Sequence, residues 1–269
     1  MDFNRLFEPS YIYRRTLADL EYFMTRFGLI NTSNYQKLAS LKNKYTGQRC
    51  FIIGNGPSLK IKDLEKLNKE ITLACNKIYL AFDDTQWRPT FYSAGDKVFL
   101  ENSWDKLKQL TSTKLLLPIW TKYWFPPLQN AVYFRALSQP IYPNKPQFSS
   151  NALKYLYWGA TVTYLNIQLA SYMGIRQIYL LGVDCDYKVP KSKEKGEKPY
   201  IIQEKNSNSH FHPNYLQPGE QAYPPNLHWH KNVYQGAKEA LHELNGEIYN
   251  ATRGGKLEIF PRVNFDSLF

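Results

Sequence analysis

Short apolar runs, each closed by a small or polar residue, recur along the chain and are separated by stretches with helical spacing. Cys50-Phe51-Ile52-Ile53 ends in Gly54, Ile71-Thr72-Leu73-Ala74-Cys75 ends in Asn76, and Thr90-Phe91-Tyr92-Ser93 runs to Asp96. Lys114 to Pro118 and Ala131 to Arg135 read the same way, as do Glu247 to Asn250 and Gln177 to Val183, the latter ahead of Asp184-Cys185-Asp186-Tyr187. Between these runs, Leu64 and Leu67, and then residues 97–110, 151–173 and 232–244, carry apolar positions at the helical period, and Gly174 supplies a C-terminal stop. Strands alternating with helices predict an α/β fold, Rossmann-like, around a mainly parallel sheet. Ligands of such sheets bind beyond the carboxyl ends of strands, where Asn55, Asn76, Ser93 and Asp96 fall, although each of these is also an ordinary turn former.

Residues 1–47 predict an N-terminal helical extension, and residues 48–269 the α/β domain. Leu17, Leu20, Phe23 and Phe27 recur at helical spacing with Arg14, Arg15 and Arg26 among them. The pattern fits a helix packed on the main domain, and it also fits a basic amphipathic segment that touches anionic lipid or a partner. Asn31-Thr32-Ser33-Asn34 breaks this segment, and a polar helix then extends to Lys44. Lys188 to Lys205 is dense in lysine and glutamate and holds Pro190, Gly196 and Pro199. It is too polar to pack, and predicts a mobile surface loop within a lid around 188–226.

Ile53-Gly54-Asn55-Gly56-Pro57-Ser58 joins the first strand to the helical segment with Leu64 and Leu67. Gly54 and Gly56 permit unusual backbone angles and close approach of a ligand, and Ser58 is placed to cap a helix. A strand, a glycine loop and a helix start form an anion site, because backbone N–H groups point at the ligand. The loop is read as a nucleotide-phosphate site, with a tight turn as the alternative. It lacks the third glycine of G-x-G-x-x-G, and Lys60 is misplaced for a P-loop.

The charge of +11 and pI near 9.3 favour polyanions, anionic membrane surfaces or phosphorylated substrates. No recognised motif accompanies that charge to indicate nucleic acid. Six Trp, 21 Tyr and 15 Phe suit flat or sugar-like ligands as well as a core. Cys50, Cys75 and Cys185 are odd in number and widely spaced, giving neither a disulfide framework nor a zinc pattern. With no membrane-length apolar run and no secretory signal at Met1-Asp2-Phe3-Asn4, the chain is expected in the cytoplasm, with peripheral contact at the inner face of the membrane left open.

Two groups of side chains carry candidate chemistry. Asp184-x-Asp186 at a strand end resembles the carboxylate pair of many sugar-nucleotide transferases and would hold Mg²⁺ beside a diphosphate, or else Asp184 caps a loop. Four of the five histidines lie in His210-Phe211-His212 and His228-Trp229-His230. On extended segments each pair would share a face. With no cysteine or carboxylate pattern alongside, they fit a general base better than zinc ligands, since imidazole titrates near neutrality.

Ile-Ile-Gly54-Asn55-Gly56-Pro57-Ser58-Leu, then Ala-Cys-Asn76, then Tyr-Leu-Leu-Gly182-Val-Asp184, then a lid with Asn-Ser-His210 and a later His230-Lys231, resembles bacterial family 42 sialyltransferases. The order is closer still to the proteins called 6-hydroxymethylpterin diphosphokinase MptE-like, which the closing Tyr249 to Val263 also resembles. The resemblance covers about residues 48–263. The sialyltransferase family implies a GT-A-like domain, a CMP-sugar donor, inversion at the anomeric carbon and no metal. It implies that Asn55 and Gly56 contact the donor phosphate with Ser58 nearby, that Asn76 matches the family's asparagine, and that His230 is the catalytic base. Ser93 stands where that family has an asparagine, Thr161 to Thr163 where it has Thr-Ser-Gly, and Asp186 where it has a phosphate-binding tyrosine, with Tyr187 adjacent. The expected function is an inverting glycosyltransferase that uses a nucleotide-activated, CMP-linked sugar to build a bacterial surface polysaccharide or glycan, with Tyr187 or Tyr200 stabilising the leaving phosphate. The expected catalytic residues are His230, Tyr187 and His210. Gly54, Asn55, Gly56, Pro57, Ser58, Asn76, Ser93, Asp96, Thr161, Thr163, Gly182 and Asp184 hold the donor. The acceptor is a glycan or lipid-linked glycan, no cofactor is required, and the oligomeric state is left open. The alternatives are a pterin diphosphokinase using ATP and Mg²⁺ at Asp184 and Asp186, and a non-enzymatic basic protein that binds glycans or membranes.

Overall fold

The computed structural model describes residues 9–139, 145–187, 199–203 and 208–269. Its strands are β1 (Arg49–Ile53), β2 (Ile71–Cys75), β3 (Phe91–Ser93), β4 (Lys114–Pro118), β5 (Ala131–Phe134), β6 (Ala136–Leu137), β7 (Leu156–Tyr157), β8 (Gln177–Leu181), β9 (Tyr200–Ile201), β10 (Gln221–Ala222) and β11 (Glu247–Asn250). The helices are α1 (Pro9–Arg26), α2 (Ser33–Ala39), α3 (Ile61–Glu65), α4 (Lys97–Lys108), α5 (Trp120–Trp124), α6 (Val162–Tyr172) and α7 (Leu227–Glu243). Seven strands form one sheet in the order β11-β8-β1-β2-β3-β4-β5. Every pairing in it is parallel, as the continuous apolar runs require for a sheet buried on both faces. Alternate residues of β1 enter opposite cores: Cys50 and Ile52 pack with α6 and α7, while Phe51 and Ile53 pack with Leu64, Leu100 and Trp104.

Leu38 and Leu41 stand in the same core as Ile52 and Leu169, so α2 and the turn after it join the α/β unit. Helix α1 rests on α5, where Lys122 Nζ meets Glu21 at 2.7 Å.

Three helix boundaries differ from the sequence expectation. The polar helix expected to reach Lys44 ends at Ala39, after which the N–H groups of Leu41, Lys42 and Lys44 bond three residues back in turns. The helix expected over 151–173 begins only at Val162, where Thr161 Oγ1 accepts from the Thr163 N–H. Leu156 and Tyr157 before it are held extended: Leu156 N donates to Arg135 O at 2.8 Å, and the Gln168 side chain bonds both Tyr157 N and Tyr157 O at 2.9 Å. Gly174, at φ +89°, ends the helix as expected. Helix α7 begins at Leu227, well before Asn232, because Asn226 caps it by accepting from Trp229 N at 3.0 Å. Residues 188–198 and 204–207 of the expected lid lie outside the described residues. The part that is described forms the antiparallel pair β9–β10. Among the described residues no helix is long and apolar enough to cross a membrane.

Candidate active site

Strand order reverses beside β1: β2 to β5 lie on one side of it, and β8 and β11 return on the other. At such a switch point the loops after neighbouring strands part and leave a crevice. A cavity of about 290 Å³ lies there. Of the residues singled out in the sequence, Gly54, Asn55, Asn76, Asp96, Thr161, Thr163, Gly182, Tyr187, His210 and His230 line it. Gly56, Pro57, Ser58, Ser93 and Asp184 do not.

The three expected catalytic residues meet around one ring. Tyr187 contacts His210 with ring centroids 5.9 Å apart and His230 with centroids 6.3 Å apart. His230 is in the first turn of α7 and is buried. Its Nε2 lies 2.9 Å from the carbonyl oxygen of Ala160. A carbonyl can only accept, so Nε2 carries the proton and the lone pair is left at Nδ1. His210 stacks on Tyr215 at 3.8 Å, nearly coplanar, and its Nδ1 is buried with no partner among the described residues. Burial lowers His230 to about 4, and burial together with Lys77 lowers His210 to about 3. Both imidazoles are therefore neutral at pH 7, which corrects the expectation that they titrate near neutrality. The other members of the two pairs stand elsewhere. His212 accepts from Asn214 N at 3.1 Å outside the cavity, and His228 is exposed beside Asn232.

Buried acceptors complete the wall. Asn55 Nδ2 donates to Cys75 O at 3.0 Å, while Asn55 Oδ1 and Asn76 Oδ1 are buried with no partner among the described residues. Asn76, Ala160 and Cys185 all line the cavity with positive φ, at 50°, 57° and 50°. Left-handed backbone costs a residue with a Cβ roughly 1–2 kcal/mol, and such strain gathers at sites where geometry is over-determined. Asp96 caps α4 by accepting from Phe99 N at 2.7 Å, and its burial raises its pKa.

Sequence reasoning missed Lys77 and Glu220. Lys77 Nζ donates to Glu220 Oε1 at 2.6 Å and to Tyr215 O at 2.7 Å, tying residues 208–225 to the end of β2. A lone lysine after Asn76 gives no sequence signal, because its partner lies far along the chain. Lys77, Asp96 and Glu220 are the charged residues of the described wall.

The N–H groups of the two loop glycines are used within the fold, while Gly54 and Asn55 line the cavity. Gly54 N donates to Leu181 O and Gly56 N to Gly182 O, both at 2.8 Å, so these N–H groups fasten β1 to β8. Neither glycine has positive φ. What they provide is room: a Cβ at Gly54 would fall 2.3 Å from Gly182 O, and one at Gly56 would fall 1.8 Å from Asp184 Oδ2. Ser58 does not cap α3; Lys60 holds the N-cap position without a side-chain bond. Instead Ser58 Oγ donates to Asp184 Oδ2 at 2.8 Å. Ser93 Oγ donates to Asn166 Oδ1, which turns it away from the cavity. The two aspartates take different partners, since Asp186 pairs with Lys256 at 2.7 Å. Among the described residues no three His, Cys, Asp or Glu side chains are grouped to hold a metal.

The doubly wound parallel sheet and its switch-point cavity define a Rossmann-like α/β protein. The chain belongs to the 6-hydroxymethylpterin diphosphokinase MptE-like family, whose model matches residues 28–190. Its fold is similar to that of the MAf glycosyltransferase from Magnetospirillum magneticum AMB-1, with a TM-score of 0.51 and 17% identity over 88% of this chain. This chain spans 38% of that protein. No curated protein matches it.

Proposed function

We propose that the chain is a glycosyltransferase that binds a nucleotide-activated sugar, CMP-linked, in the switch-point cavity and extends a bacterial surface glycan or lipid-linked glycan with inversion at the anomeric carbon. The observation that carries this reading is the meeting of His230, Tyr187 and His210 at one cavity whose wall also holds the unpartnered Asn55 and Asn76 oxygens. The family and the fold shared with a glycosyltransferase support it.

In this mechanism the acceptor hydroxyl oxygen attacks the anomeric carbon as the bond from that carbon to the phosphate oxygen breaks. The hydroxyl proton passes to His230 Nδ1. A donor phosphate nearby raises the basicity of an imidazole that burial has lowered. Tyr187, held protonated by burial, donates its O–H to the departing phosphate. The N-terminus of α6, with Thr161 and Thr163, adds dipole and hydroxyl groups for the same charge.

The family description gives a second reading, a pterin diphosphokinase with ATP and Mg²⁺ at Asp184 and Asp186. It requires Asp184 to leave Ser58 and Asp186 to leave Lys256. Calorimetric titration with CMP, ATP and a hydroxymethylpterin separates the readings. Binding of CMP alone supports the glycosyltransferase, ATP together with pterin the kinase, and no nucleotide binding leaves a non-enzymatic glycan- or membrane-binding protein. A screen of activated sugars then identifies the donor.

A further inference from the structure

Helix α1 carries an apolar face that no described residue covers. Ile12, Tyr13, Leu20, Phe23 and Phe27, with Leu29 just past the helix, are 48% to 65% exposed. The rings of Phe23 and Phe27 pack on each other at 4.5 Å. Other positions dock on the protein: Ala18 is buried, Glu21 meets Lys122 at 2.7 Å, and Asp19, at the edge of the apolar face, meets Arg135 at 3.1 Å.

Those two pairs decide the charge balance of the segment. From residue 9 to residue 48 the sequence holds six Lys or Arg and two acids, Asp19 and Glu21. Both acids are engaged by cations of the body, whereas arginines stand in α1 at positions 14, 15 and 26. An apolar ridge on a net basic helix complements an anionic lipid surface. A second copy of the helix would bring like charges together, with Asp19 and Glu21 already paired to cations of the body.

We infer that α1 docks the protein on an anionic membrane surface, with Tyr13, Leu20, Phe23 and Phe27 at the headgroup–acyl boundary. This does not depend on the glycosyltransferase reading. The experiment is co-sedimentation of the full chain with vesicles of phosphatidylcholine, with and without phosphatidylserine. Binding is expected only with phosphatidylserine, and is expected to weaken in 1 M salt, where screening shortens to about 3 Å. Leu20→Glu/Phe23→Glu changes exposed positions, so its melting temperature should match the parent while vesicle affinity falls about tenfold or more. Leu20→Cys gives a second readout. Cys50, Cys75 and Cys185 are buried, so an environment-sensitive dye labels position 20 selectively, and its emission should shift blue on anionic vesicles. No binding to anionic vesicles, undiminished binding of the double variant, or an unshifted dye would overturn the inference. So would a dimer in sedimentation velocity that the double variant abolishes, which would assign the face to a second copy.

Discussion

A histidine whose Nε2 faces a carbonyl has no choice of tautomer, and Ala160 makes that choice for His230. The lone pair at Nδ1 is what a general base needs, and general-base catalysis is worth roughly 10²–10⁴-fold. His230→Ala should lower turnover by about that factor while donor affinity changes little. Steady-state kinetics beside calorimetry, with His210→Ala, His212→Ala and His228→Ala run in parallel, checks this; full turnover in His230→Ala would remove the assignment. Burial also makes the two cavity histidines acid-sensitive. Their folded pKa values, about 4 for His230 and about 3 for His210, lie below the unfolded value of about 6.5, so the unfolded chain takes up the proton first. Their contribution is complete above about pH 6.5 and is lost as pH falls toward those folded values, with a slope of at most about 1.4 kcal/mol per pH unit for each. Urea unfolding between pH 5 and pH 7 should show the slope, and His230→Gln, which keeps an N–H for Ala160, should flatten it. The spacing marked out His228 and His230 alike without telling which of them faces inward, and only the resemblance singled out His230. On a helix residues two apart differ by about 200°, and only the early start of α7 reveals that His230 turns in while His228 turns out.

At the scale of elements, the turn after β1 and the turn after β8 work as one piece. Gly54 and Gly56 donate into β8 and the residue just past it, and Ser58 holds Asp184. A methyl group at residue 54 meets backbone oxygen, which cannot rotate away, and overpacking of this kind costs about 1–3 kcal/mol. Gly54→Ala should lose that much in urea unfolding. Gly254→Ala, whose Cβ would meet only Ser58 Cβ at 3.9 Å, serves as the control, and equal stabilities would sink the argument. A strand leading into two glycines was legible in the sequence. Their use was not, because the sequence does not state that the neighbouring backbone belongs to β8. The start of α6 was hidden for a related reason: residues 151–161 carry apolar positions that fit a helix, but tertiary bonds to Gln168 and Arg135 hold Leu156 and Tyr157 extended within that stretch.

At the scale of the molecule, short continuous apolar runs set between stretches of helical period were enough to place every strand of the central sheet, since both of its faces are buried. Net charge did not point to the cavity, whose described wall holds one lysine against two carboxylates. The engagement of Asp184 by Ser58 and of Asp186 by Lys256 leads to a further expectation: turnover should survive EDTA. Loss with EDTA and rescue by Mg²⁺ or Mn²⁺, tracked in the same assay, would make the two aspartates ligands instead.

The sheet order has one more consequence, for the sequence of events during folding. β1 is central, yet one of its two neighbours, β8, is made long after β2 to β5 are complete. Until then Cys50 to Ile53 present an open hydrogen-bonding edge, with apolar side chains on both faces and no charge to discourage pairing with another chain. A nascent or truncated chain that stops before Gln177 should therefore need chaperone protection, and the cavity wall that depends on β8 is among the last parts of the molecule to form.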